Sequence, residues 1–279
     1  MLRMFKKSKK DKENEESKEE MKVYEKIDNF DVVFKKLCDE LGICDLSRRP
    51  ILYERLNAIA KNHDISGIAD FEREFDKGEK FKEEVIDAVT VNETYFFREM
   101  DNLNWLVEHI QDSDSNLKIM SMPSSDGSEV YSILIMLALK DEKLLNKVQF
   151  LGIDINSEVV QKAKDGIYNE RGLHKLSEGI KERFFDKVDG LYCIKDFLKD
   201  MVEFKRDNIF ELSSSKYGYF DVVLSRNLFI YFDSEHRKRA SEALHKVVKP
   251  DGYLMMGVTD RLEDSVGFKK VHSFIYKKI

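Results

Sequence analysis

No apolar run in this chain approaches the roughly 18–20 residues needed to cross a bilayer, and its first residues hold no apolar signal core. Membrane insertion and secretion by that route are therefore not expected, and a cytoplasmic protein is. An excess of positive charge is also missing. Lys and Arg number 47 against 53 Asp and Glu, a formal net charge of -6, which gives no whole-protein reason to expect nucleic-acid binding. Cysteine is scarce: Cys38, Cys44 and Cys193 are an odd number without metal-like spacing, so reduced packing thiols are the reading and no metal is expected. Internal repeats are absent as well.

What is present is a chain of 279 residues, 42% hydrophobic and 36% charged, enough for one or two globular domains with a charge-rich surface. Residues 1 to 24 are dominated by Lys, Glu, Asp and Ser and cannot bury enough apolar surface to order themselves, so a flexible mixed-charge tail is expected. From 25 to 90 the pattern is helical. Phe30, Val33, Phe34, Leu37 and Leu41 recur at three- and four-residue spacing. Ser47 is a good N-cap for a helix through about His63, with Pro50 tolerated in its first turn. On this helix Arg48, Arg49, Arg55 and Lys61 face a single acid, Glu54. A solvated basic face is the plain reading; a dock for an acidic helical partner is the functional one. Two more helices are expected around 67–76 and 79–90.

Beyond residue 100 strands alternate with helices. Leu117 to Met122, Val148 to Asp154, Asp221 to Ser225 and Tyr253 to Gly257 read as strands, and Phe274-Ile275-Tyr276 as a final edge strand. Helices are expected over Trp105 to Ile110, Val130 to Leu139, from Ser157, and over 234–248, while Lys249-Pro250-Asp251-Gly252 reads as a turn. The alternation predicts a mostly parallel, doubly wound α/β sheet.

In such a sheet ligands sit beyond the carboxyl ends of the strands. There the first strand ends in Pro123-Ser124-Ser125-Asp126-Gly127, whose small residues let a ligand approach the backbone, although the loop is no G-x-G-x-x-G fingerprint. Asp154 at the second strand's tip can accept both hydroxyl hydrogens of a ribose, with Ser157 free to cap the next helix. Asn208, in Asp207-Asn208-Ile209-Phe210, carries the donor and acceptor that read an adenine edge. A further strand runs into Arg226-Asn227-Leu228-Phe229-Ile230-Tyr231 at the same edge. Upstream, Asn92-Glu93-Thr94-Tyr95-Phe96-Phe97-Arg98 sets an aromatic triplet among an amide, a hydroxyl and a guanidinium, as a strip that lines a polar pocket on one side and packs on the other.

With these segments together, over about 25 to 260, the chain resembles the chemotaxis receptor methyltransferases of the CheR family. The carrying motifs are Thr90 to Arg98, Asp126 to Ser132, Gly152 to Asn156, Ser225 to Asp233, and Lys249-Pro250-Asp251-Gly252-Tyr253-Leu254. The resemblance implies an all-α N-terminal domain (25–90) and a Rossmann-like, S-adenosylmethionine-dependent methyltransferase domain (91–279) with a small β-subdomain near 184–206. It implies methylation of glutamate side chains on the cytoplasmic domains of bacterial chemoreceptors, leaving S-adenosylhomocysteine. By motif position, Asn92, Thr94, Arg98, Glu129, Asp154, Asn208, Ile209, Arg226 and Asn227 are implied cofactor contacts. Arg98 and Tyr231 are implied at the transfer site, and Arg48, Arg49, Arg55 and Lys61 at the receptor. The family's Gly-Glu-Glu-Pro-Tyr-Ser motif reads Gly127-Ser128-Glu129-Val130-Tyr131-Ser132 here, without one acid and the proline. Only Gly190 lies within 184–206, where some members carry a glycine-rich loop that grips a receptor's C-terminal peptide, so no such tethering is expected. Two other readings stay open: a cofactor-binding regulator without catalysis, and a methyltransferase with another acceptor.

Overall fold

The structure, a computed structural model, describes residues 26–44, 49–262 and 267–279. The charged tail, Ser47 and Arg48 lie outside the described residues.

Four helices, Asp31–Leu41, Arg49–Asn62, Ile68–Lys77 and Glu79–Val89, build the N-terminal unit. Their apolar stripes meet in one core where Phe30, Leu37, Leu56, Phe71, Phe75 and Val85 are fully buried. Phe71 is its hub, edge-on to Phe30 and Phe81 with ring centroids 5.2 and 5.0 Å away. The first helix stops where Gly42 turns left-handed at φ 69° and its N–H bonds back to the Cys38 carbonyl.

The larger unit holds a seven-stranded sheet. Its strands are β1 (Leu117–Ser121), β2 (Val148–Asp154), β6 (Val202–Arg206), β7 (Phe220–Ser225), β8 (Val248–Met256), β9 (Phe268–His272) and β10 (Ile275–Lys278). They lie in the order β6-β2-β1-β7-β8-β10-β9. The first five run parallel, and β10 is antiparallel to β8 and β9. The chain order reverses between β1 and β7, the switch point at which ligands bind in open α/β sheets. The helix Ser128–Lys140, apolar on nearly every side, is buried, as is the strand core Ile119, Val222, Val223 and Leu254.

Several expectations need correction. β10 is not the edge strand; β9 closes the sheet because β10 reaches both neighbours. The Lys249 to Gly252 segment lies within β8 as an irregularity opposite Phe220 to Val222, with Asp251 at φ 62°. The small sheet is β3 (Ile167–Tyr168), β5 (Leu191–Ile194) and β4 (Phe185–Val188) in that order, so it begins near 167. Val202–Arg206, expected within it, pairs with β2 in the main sheet. Asp189 and Gly190, both at positive φ, form the two-residue turn between β4 and β5. Cys38 and Cys44 are joined by a disulfide rather than reduced, because the left-handed turn at Gly42 brings their Cα atoms within 4.7 Å; Cys193 is free.

The two units are tied by polar contacts. Asn156, not Ser157, caps the helix Ser157–Asp165, its Oδ1 accepting from Val159 N at 3.0 Å. Its Nδ2 donates to Thr90 Oγ1 (2.7 Å) and the Asp87 carbonyl (3.2 Å). Ser157 instead uses its N–H and hydroxyl on the Asp87 carboxylate. Glu83 and Arg206 form an ion pair across the same joint.

Candidate functional site

A cleft of about 1290 Å³, including its open mouth, lies beyond the carboxyl ends of β1, β2 and β7. Asn92, Thr94, Arg98, Glu129, Asp154, Arg226, Asn227 and Tyr231, eight of the residues singled out in the sequence, line it. Leu41, Ile43, Leu52 and Val89 of the N-terminal unit supply an apolar wall that the sequence did not announce.

Asp154 sits at the tip of β2, buried, and accepts backbone N–H groups from Ser125 (2.8 Å) and Asn156 (3.0 Å). Burial pushes its carboxyl up to about 6, against those two N–H bonds. Above that pH it presents an anion with lone pairs to spare for further donors. Beside it, Ser124 and Ser125 line the cleft, and their buried hydroxyls have no hydrogen-bond partner among the described residues. Unpaired polar groups of this kind fit a polar ligand.

The opposite wall is an ion-pair network. Arg226, buried, donates to Glu129 Oε2 (2.6 Å), Glu99 Oε2 (3.0 Å) and the Arg98 carbonyl (2.9 Å). Ser121 holds the other Glu129 oxygen at 2.9 Å. Asn227 Nδ2 reaches Glu99 Oε1 at 3.2 Å, and the Asn227 N–H donates to Asp260 Oδ2 at 2.5 Å. Burial opposes ionisation of Glu99, but the Arg226 guanidinium and the Asn227 amide outweigh it and hold the carboxyl below its usual range. Glu99, the N-cap position of the helix Met100–Asp112, is a member of this network that was not among the expected site residues, and its signal in the sequence was only its place beside Arg98.

Arg98 is partly engaged: its Nη1 donates to the Glu93 carbonyl at 2.8 Å, its Nε is 4.0 Å from Glu99, and its guanidinium lies 5.9 Å from the Tyr95 ring centre. Its side chain is partly exposed and lines the cleft. Ser125, Phe97, Glu99 and Asn227 hold positive φ of 46, 61, 53 and 60°. Such left-handed geometry in non-glycine residues clusters where a site dictates the backbone.

Two expected residues lie elsewhere. Asn208 and Ile209 are outside the lining. The Asn208 amide is committed: its Nδ2 donates to the Glu40 carbonyl (3.0 Å) and its Oδ1 caps Phe210 N (3.0 Å). Ile209 is buried in an apolar core with Met120, Leu151 and Ile153. Gly127, expected to admit a ligand, is instead required by packing. A Cβ there would collide with Phe204, Tyr131 and Ala163, and its φ is 81°. The substituted positions Ser128 and Val130 turn away from the cleft. Ser128 Oγ donates to buried Asp126 at 2.5 Å, and Val130 is in the core. Asp126 also pairs with Lys162 at 2.8 Å, so the loop is braced by side chains just before the helix that carries Val130 in place of the family's proline. Among the basic residues, Arg55 Nη1 donates to the Ala88 carbonyl at 2.7 Å and Lys61 is exposed.

Residues 92–276 match the family described as CheR methyltransferase, SAM binding domain. The chain is 34% identical over 242 residues to the chemotaxis protein methyltransferase of Campylobacter jejuni strain 81-176, covering 86% of this chain and 91% of that one. It is 28% identical over 266 residues to the protein of that name from Borreliella burgdorferi, covering 90% and 94%. Among solved structures it is similar to PKMT2 from Rickettsia typhi in complex with AdoHcy, at 15% identity and a TM-score of 0.37, covering 60% and 26%.

Proposed function

The chain belongs to the CheR methyltransferase family, and on that premise we propose that it methylates glutamate side chains on the cytoplasmic domains of chemoreceptors. The observation that carries the reading is the pairing, within one cleft, of an anionic strand tip and unpartnered serine hydroxyls with a guanidinium at the opposite wall. S-adenosylmethionine bound there supplies an activated methyl group. Asp154 accepts the ribose hydroxyls, Ser124 and Ser125 offer hydroxyls beside it, and Asn92, Thr94, Glu129, Arg226 and Asn227 border the remainder. The apolar wall of Leu41, Ile43, Leu52 and Val89 excludes water. Asn208 and Ile209 act at most through their backbone, since the Asn208 side chain is occupied.

A substrate glutamate, with an ordinary pKa of about 4.3, is already ionised at neutral pH, so no general base is required. Arg98 orients that carboxylate through a charge-assisted bond, and Tyr231 shapes the acceptor pocket. The helix Arg49–Asn62 turns Leu52 to the cleft and Arg55 and Lys61 outward. A receptor helix docked on those cations lies beside the cleft mouth; Arg48 and the Arg49 side chain, expected on the same face, lie outside the described residues. No tether to a receptor's C-terminal peptide is proposed. The regulator reading gains no support, because Ser128 and Val130 do not face the cleft.

Titration calorimetry with S-adenosylmethionine and S-adenosylhomocysteine on wild type and Asp154→Ala tests the cofactor half. Binding that is lost in a folded Asp154→Ala supports it; a folded wild type that binds neither compound rejects it. Labelled methyl transfer to receptor cytoplasmic fragments tests the acceptor half. Arg98→Ala is expected to abolish transfer while retaining the fold, and near-normal turnover sinks the role given to Arg98.

A further inference from the structure

Cys38, Cys44, Asp233 and His236 come from both units of the protein, and one ligand atom of each lies within 4.8 Å of the others. No local pattern announces this cluster, because Cys44 and Asp233 are 189 positions apart and the spacing between the two cysteines matches no metal motif. We propose that in the dithiol form of the chain these four side chains bind one zinc ion, which fastens the segment 38–44 to the N-terminal end of the helix Ser234–Val247.

The donor set is the first argument. Two thiolates, an imidazole nitrogen and a carboxylate oxygen form the mixed set that tetrahedral zinc accepts, at about 2.0–2.3 Å from the metal. Two ligands that share one zinc at those lengths are separated by roughly 3.3–3.8 Å. Cys44 Sγ already stands 3.8 Å from His236 Nδ1, and Asp233 Oδ1 is 2.8 Å from the same nitrogen. His236 is buried, so its ring is held rather than free to turn.

The convergence does not depend on the sulfur–sulfur bond. Gly42 packs so tightly on the Phe232 ring and the His236 Cβ that no side chain fits there. The Glu40 carbonyl accepts from Asn208 Nδ2 at 3.0 Å and the Asp39 carbonyl from Arg239 at 3.3 Å. These contacts seat residues 39 to 42, between the two cysteines, against the larger unit whatever joins the cysteines. The disulfide is then the oxidised, metal-free alternative. A phosphine or dithiol reductant supplies two electrons and yields two thiols. Zinc binding releases both thiol protons and uses the Nδ1 lone pair of neutral His236, whose proton moves to Nε2. That nitrogen is buried beside Phe210 and Phe232 and has no hydrogen-bond partner among the described residues. Asp233, whose Oδ1 also caps the helix by accepting the His236 backbone N–H at 2.9 Å, exchanges its contact with the His236 ring for the fourth coordination position.

The test uses the full chain, reduced with a phosphine, loaded with zinc sulfate and freed of excess metal. Zinc content is measured by mass spectrometry, and a parallel cobalt titration is followed by thiolate-to-metal absorption. One zinc per chain is expected in wild type and in Cys193→Ser. Cys44→Ser and His236→Gln, with unchanged far-ultraviolet circular dichroism, are expected to weaken binding by more than about 100-fold, beyond the loss typical of an outer-shell residue. Reduced wild type that holds no zinc and gives no cobalt–thiolate band overturns the proposal. So does a folded His236→Gln that binds as tightly as wild type, or loss of the metal in Cys193→Ser.

Discussion

Asp154 shows how one residue sets a pH range. Its carboxyl is pushed up to about 6 by burial. A raised acid favours the folded chain at low pH, and that contribution fades as pH rises through about 6. Cofactor binding has the opposite sign, because only the anion accepts two hydroxyl hydrogens. Affinity for S-adenosylhomocysteine is therefore expected to be flat above pH 7 and to fall by about tenfold per unit well below pH 6. Calorimetry from pH 5 to 8 reads this, and Asp154→Asn should remove the slope. Arg226 sets a different balance. It stands between the Glu99 and Glu129 carboxylates, and Arg226→Met leaves both facing each other in a half-buried wall. Stability should drop toward the lower end of the roughly 3–5 kcal/mol typical of a broken buried pair, measured by urea denaturation. An unchanged midpoint would show the network to be solvent-compensated.

Elements place these residues, and here the sequence was most readable. Alternating apolar runs located β1, β2 and β7 to within a residue or two, and the strand-tip rule then put Asp154, Arg226 and Asn227 at one edge. Side-chain commitments were not readable. Asn208 has the chemistry to read an adenine edge, but a carbonyl from a helix 168 residues earlier takes its amide. Glu99 stands beside Arg98 in the sequence, but a left-handed turn aims it at Arg226, 127 residues on. Three-dimensional partners and positive φ in non-glycine residues leave no local pattern. Asn156 illustrates the same limit: it caps one helix and bridges to Thr90 and Asp87 of another unit. Asn156→Ala removes a cap, usually about 1 kcal/mol, and two further hydrogen bonds, leaving the Thr90 hydroxyl and the Asp87 carbonyl only their 3.2 Å bond to each other. A loss of about 2–4 kcal/mol in thermal or urea unfolding is expected, whereas a loss near that of a simple cap would mean that the joint is independent of this amide.

At the scale of the molecule, charge is unevenly spent. The chain carries a net charge of -6, yet the helix that lines the cleft through Leu52 shows cations outward. Glu54, the one acid among them, is neutralised by Lys26 at 2.5 Å. A basic face on an acidic body orients an acidic partner and repels it elsewhere, which affects encounter more than cofactor binding. Arg55 is a poor probe of this, because it also holds the Ala88 carbonyl at the end of the helix Glu79–Val89. Lys61 is exposed and outside the cleft lining, so Lys61→Glu separates the two effects. Methylation of receptor fragments at low salt is expected to slow by about threefold to tenfold, with cofactor affinity unchanged. The difference between wild type and mutant should shrink as ionic strength rises and the Debye length contracts below about 8 Å. If Lys61→Glu methylates at the wild-type rate in low salt, this end of the helix is only a solvated face. If both rate and cofactor affinity fall, the substitution has disturbed the cleft wall through Leu52 rather than the encounter with an acidic partner.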